Sequence, residues 1–248
     1  MDYANSPLLH FTNVTTPPAT GSPLAAACDA FSARLIAANI PVDYLSAPMI
    51  DATVQVTAKV NGHVRSNAAG LAEWLPKYER SFGESTAPKS LYLFSRGKGV
   101  GKTATACRLL IDYMATQFVA ALKEGRTPPQ RIGYFLDLTE MQTSYNIASM
   151  THDDEGMARI GEVVKRVQHA EMTVLDDVGV RSATEAFRAY VHAIVNYRVA
   201  NGKPTIYTSN IEVDELANVF DERLADRVRE KCFEITWMEN DSKRGIRS

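Results

Sequence analysis

Leu91-Tyr-Leu-Phe-Ser-Arg-Gly97-Lys-Gly99-Val-Gly101-Lys102-Thr103 is the stretch whose reading decides the fold. An apolar run ends in a glycine-rich loop, and the apolar spacing of a long helix begins at once. Glycines let successive backbone N–H groups turn inward, which makes a cradle for phosphate oxygens. Gly97, Gly99, Val100 and Gly101 supply the cradle, Lys102 reaches the β- and γ-phosphates, and Ala104 continues the helix beneath them. The Thr103 hydroxyl is a ligand for Mg²⁺, and the helix start adds its positive dipole end. The expected ligand is therefore ATP with Mg²⁺. One position departs from the usual GxxxxGKT pattern. Arg96 stands where the first glycine is usual, and Gly97 is expected to take over the turn. A chance Gly-Lys-Thr would lack the strand before it and the helix after it.

Downstream the pattern of strand, loop and helix repeats. Strands are predicted at 91–95, 131–137, 172–176, 204–209 and 233–238, and helices at 102–123, 138–149, 157–169, 183–199 and 221–231. Such alternation predicts an α/β fold, with a five-stranded parallel sheet flanked by helices. Upstream, Leu71, Trp74, Leu75, Tyr78 and Phe82 repeat at helical spacing, and Pro76 is expected to kink or split that helix. Val54 to Val60 alternates and Asn61-Gly62 supplies a turn, so an extended segment is expected there. Ser22 fits an N-cap and Pro23 a first helical position, with Leu24, Ala27, Cys28, Phe31 and Leu35 on one face, closed by Asn39 and Pro41. That narrow stripe leaves two readings open: docking on the main domain, or contact with a partner. Residues 1–21, rich in Thr, Pro, Asn and Ser, read as a mobile leader. The expected division is 1–39 for the leader and short helical N-terminal region, and 40–248 for the ATPase domain.

Net charge is −2, so no global basic field draws the chain onto nucleic acid. Cys28, Cys107 and Cys232 lack CxxC spacing, which argues against a zinc site or a disulfide framework. Without a signal pattern or a membrane-length apolar run, a cytoplasmic setting and no membrane contact are expected.

Three further elements carry chemistry. Met172-Thr-Val-Leu-Asp176-Asp177 is an apolar strand ending in two acids. Asp176 is expected to hold Mg²⁺ and Asp177 to polarise the attacking water; alone, such a pair would also suit a solvated turn. Pro204-Thr-Ile-Tyr-Thr-Ser-Asn210 follows a helix opened by a capping box, Ser182 with Glu185. Asn210 is placed to orient water beside the γ-phosphate, although an Asn also ends strands and caps helices. In Asp221-Glu-Arg223-Leu-Ala-Asp226-Arg227-Val-Arg229, Arg223 and Arg227 share a helix face away from Leu224 and Val228. They serve either a neighbouring subunit's nucleotide or surface ion pairs with Glu222, Asp226 and Glu230.

Together these elements resemble the DnaC/DnaI/IstB family of AAA+ ATPases, the bacterial and phage helicase loaders. The resemblance runs from about Ile40 to the end, through Leu175-Asp-Asp-Val-Gly179, Asn196-Tyr197-Arg198, and Lys203 to Asn210. It implies an AAA+ P-loop ATPase core with no separate lid domain. It marks Arg227 as the usual finger of the arginine box. Asp241-Ser242-Lys243-Arg244 resembles the family's closing motif, which implies Arg244 near a nucleotide. A loader of this kind binds a hexameric replicative DnaB-type helicase and delivers it to single-stranded DNA, as a homo-oligomer formed with ATP. The resemblance also makes Arg159, Lys165 and Arg166 candidates for single-strand contact, against a solvated helix face beside Asp153, Asp154 and Glu155. Alternatives are an IstB-like transposition ATPase, a P-loop kinase, and an ATP-binding scaffold that scarcely turns over.

Overall fold

The computed structural model describes residues 8–9, 18–45, 54–60, 63–179 and 184–238. Its strands are β1 (Gln55–Val60), β2 (His63–Gly70), β3 (Ser90–Phe94), β4 (Gly133–Asp137), β5 (Met172–Asp176), β6 (Thr205–Ser209) and β7 (Cys232–Trp237). They form one seven-stranded sheet in the order β2-β1-β7-β3-β6-β5-β4. The helices are α1 (Pro23–Ala37), α2 (Leu71–Glu79), α3 (Lys102–Lys123), α4 (Leu138–Met150), α5 (Asp154–His169), α6 (Glu185–Ala200), α7 (Leu216–Val219) and α8 (Glu222–Lys231).

The five strands from β7 to β4 are parallel, as the alternation predicts. The sheet is wider than five, because β1 pairs antiparallel with β7 and β2 antiparallel with β1. His63–Gly70 gives little notice of being a strand, since Ser, Asn, Ala and Gly fill half its length or more. Its ladder with β1 places it instead. Asn61 and Gly62, expected to turn between them, lie outside the described residues.

Strands covered on both faces read as continuous apolar runs, and β3 does so. Leu91 and Leu93 enter a core shared with α1, α2 and α3, while Tyr92 and Phe94 enter a second core under α4, α5, α6 and α8. Pro76 does not split α2, which continues to Glu79 before a 3-10 turn at Arg80–Gly83. Proline there deprives only the Ala72 carbonyl of a helical partner, and Ala72 is exposed to water.

The open question about α1 has an answer: it docks on the main body. Ser22 caps it by accepting from the Ala25 N–H, and Asn39 ends it at φ 59°. Phe31 packs 5.3 Å from Phe118, and Arg34 donates to the carbonyls of Pro128 and Pro129. Phe135 N–H donates to Ala38 and Asn39 Nδ2 to Phe135, so this corner covers the outer edge of β4. Leu8 and Leu9, within the stretch read as a mobile leader, are buried in the core. Two helix starts also differ. Asp153 caps α5 three residues earlier than predicted, and Thr184 caps α6, while Ser182 lies outside the described residues. Cys28, Cys107 and Cys232 are all buried free thiols. No helix among the described residues is long and apolar enough to cross a membrane.

Candidate nucleotide site

The site forms at the C-terminal ends of β3, β6 and β5, where ligands of open parallel sheets collect. Between β3 and α3 the loop takes left-handed conformations at Gly99 (φ 75°) and Gly101 (φ 102°), which side chains would resist. Gly97 donates its N–H to Ser95 Oγ at 3.0 Å. The left-handed turns of the loop thus fall at Gly99 and Gly101. Arg96 does not crowd the loop, because its guanidinium turns outward to Glu212 at 2.8 Å. Val100 is buried and pins the loop to the core, and Ala104 is half-buried in the first turn of α3. The Lys102 ammonium donates to the carbonyls of Gly97 (2.9 Å) and Ser95 (3.2 Å), which holds it over the loop.

Beneath the loop, Thr103 Oγ1 donates to both Asp176 carboxylate oxygens, at 3.0 and 3.2 Å. Thr208 Oγ1 donates to Asp176 Oδ1 at 2.5 Å and accepts from the Asp177 N–H at 3.0 Å. Burial pushes the Asp176 carboxyl up, the two threonine hydroxyls pull it down, and the charges of Asp137 and Asp177 add to the rise. Asp177 is exposed, with φ 57°. Asn210 is half-buried at the end of β6, and Gly179 makes room for it. A Cβ on Gly179 would lie 2.7 Å from Asn210 Oδ1.

A hydroxyl beside a buried carboxylate fits Mg²⁺, which favours oxygen ligands and usually keeps several waters and substrate phosphates. The cation would also offset the burial cost that lifts Asp176. Among the described residues no three or more His, Cys, Asp or Glu side chains converge as a protein-only metal cage.

The two arginines of α8 differ. Arg227 is half-buried and donates to Asn196 Oδ1 on α6, whereas Arg223 is exposed and makes no hydrogen bond or ion pair among the described residues. Arg244 lies outside the described residues. Arg159 pairs with Asp153 and Glu155, and Lys165 with Glu162, so the α5 face largely answers its own charges. Arg166 is exposed on the same helix. Sequence reasoning missed Thr208 and Glu212. A hydroxyl two residues before Asn210, on the strand next to the acid-bearing one, was a usable signal for the first. Nothing local announced the second.

No protein-family model matches the sequence, and no curated protein matches it. Among solved structures, DnaI superposes with a TM-score of 0.51 at 20% identity, covering 67% of this chain and 84% of that one. The chain has a DnaI-like fold. The DnaC helicase loader matches at a TM-score of 0.49 and 23% identity, over 69% of this chain and 92% of that one. AMPPCP-bound DnaA from Aquifex aeolicus follows at 0.44 and 19%, over 66% of this chain and 44% of that one.

Proposed function

We propose that this chain is an ATP-dependent loader that binds a hexameric DnaB-type replicative helicase and delivers it to single-stranded DNA. The observation that carries the reading is the Thr103–Asp176 contact beneath a left-handed glycine loop, on a DnaI-like fold. In this reading Gly97 to Ala104 hold the triphosphate through backbone N–H groups, and Lys102 moves from loop carbonyls to phosphate oxygens. Charge-assisted bonds to phosphate are stronger than those to neutral carbonyls, which drives the exchange. Thr103 and Asp176 hold Mg²⁺, which when bound neutralises charge on the phosphate oxygens. Asp177 polarises the attacking water, and Asn210 orients it. Copies assemble with ATP, and an arginine of α8, Arg227 or Arg223, reaches the neighbouring copy's phosphates; Arg244 adds a cation near the nucleotide.

The test is size-exclusion chromatography of the protein with a replicative helicase, with and without ATP. Co-elution that depends on ATP is expected. A chain that ignores the helicase but binds a transposase on duplex DNA would move the reading to a transposition ATPase on the same fold.

A further inference from the structure

At the opposite end of the strands, Arg198 of α6 is 0% exposed. Its guanidinium donates to the carbonyls of Val167, Ala170, Glu171 and Pro204 and to Thr205 Oγ1, at 2.6 to 3.4 Å. Those hydrogen bonds include no carboxylate. Beside it the Lys203 ammonium donates to the carbonyls of His169 and Ala170. Both cations therefore sit on the carbonyl end of α5. A helix C-terminus offers about −0.5 elementary charge, less than the two full positive charges placed on it. Glu171 answers part of the Lys203 charge, although burial pushes its own carboxyl up.

A cleft of about 290 Å³ opens over this cluster. Lys89, Arg198, Lys203 and Lys231 line it against one acid, Glu230, and Glu230 already pairs with Lys231 at 2.5 Å. The Lys89 ammonium lies 5.1 Å over the Phe233 ring and makes no ion pair among the described residues. Burial and the Arg198 charge hold the Lys203 pKa down, so an anion entering the cleft would relieve both lysine and arginine.

We propose that this cleft is a second anion site, which takes the phosphodiester backbone of a single-stranded nucleic acid. The choice of a strand rests on the loader reading; the positive cleft does not. The five residues of β3 separate it from the phosphate loop by about 17 Å. Strand binding and nucleotide binding thus use opposite ends of β3 and β6. On the α5 face Arg159 and Lys165 both pair with acids of that helix and its cap, whereas of the cleft's four cations Lys231 alone makes an ion pair among the described residues, with Glu230.

The experiment measures fluorescence anisotropy of a labelled oligothymidine with the full chain and ATP across a salt series. Lys89→Gln with Lys231→Gln changes two exposed residues and spares the fold, and the Lys89→Arg, Lys231→Arg pair serves as rescue. Loss of two phosphate contacts is expected to lower the log–log salt slope by about 1.4 and affinity by about tenfold, while the arginine pair retains both. If the parent binds the strand and the glutamine pair keeps its affinity and slope, the cleft is overturned and the loader reading stands. If the parent binds no strand with or without ATP, both fall. If tripolyphosphate binds in a Lys102→Ala background while the strand does not, the ligand is a free oligophosphate and the strand assignment is overturned.

Discussion

Asp176 meets two opposed demands. It must stay ionised to hold a cation, yet burial makes ionisation costly, and Thr103 and Thr208 offset only part of that cost. Its folded pKa therefore lies above the unfolded value. The penalty is present above the folded pKa and disappears as pH falls through it. Asp176→Asn is expected to lose ATP hydrolysis while melting at or above the parental temperature at pH 8, with the difference closing as pH falls to the ordinary carboxylate range. Thermal melts and phosphate release check both halves. Glu79 obeys the same sign. Burial, then the charge and hydrogen bond of Asp112, push it up to about 7. Glu79→Gln should stabilise the fold at pH 8 and have no effect near pH 4.5. Solvent screening limits the gain to on the order of 1 kcal/mol. Lys102→Ala should stay folded and lose ten- to a hundredfold in ATP affinity by calorimetry, since hydrogen bonds to charged groups contribute roughly 1.5–3 kcal/mol.

At the scale of elements, α6 holds the sheet's lower end through Arg198, which ties the end of α5 to the starts of β5 and β6. Arg198→Leu leaves several buried carbonyls without donors and should cost about 3 kcal/mol or more by chemical denaturation. Local signals made much of this layer legible in advance. α3 runs over the predicted 102–123 and β5 over 172–176, because glycine turns and dense apolar residues mark their ends. β2 was invisible because its partner strand, not its own side chains, decides its conformation. The same holds at the site. Gly99, Lys102 and Thr103 are neighbours in one motif and Asp176 ends an apolar strand in another, so chain order alone brings them to notice. Thr208 and Glu212 act across the sheet or from the following loop, over 32 and 116 residues of separation. Such contacts exist only once β6 lies between β3 and β5.

At the scale of the molecule, catalysis shared between copies predicts that two inactive variants restore each other. Mixing Lys102→Ala with Arg227→Ala lets the intact cleft of one meet the intact arginine of the other, so ATPase activity should return. Arginine fingers contribute roughly 10³–10⁵ in rate in GTPases, although a slow loader gains less. Arg227 must first release Asn196, whereas Arg223 starts exposed. The same mixing with Arg223→Ala separates them: only the true finger, when missing, is rescued by the partner variant. The buried cysteines supply a tool for watching that assembly. Thiol reagents attack accessible thiolates, and burial both hides Cys107 and Cys232 and pushes their thiols up, while Cys28 is 1% exposed. The folded chain is therefore a silent background for maleimide dyes. Glu222→Cys, at the exposed start of α8, would carry a single fluorophore whose self-quenching times the arrival of a neighbour when ATP is added. In the unlabelled parent the same three thiols become a stopwatch, since each molecule that opens fully can be tagged before it closes.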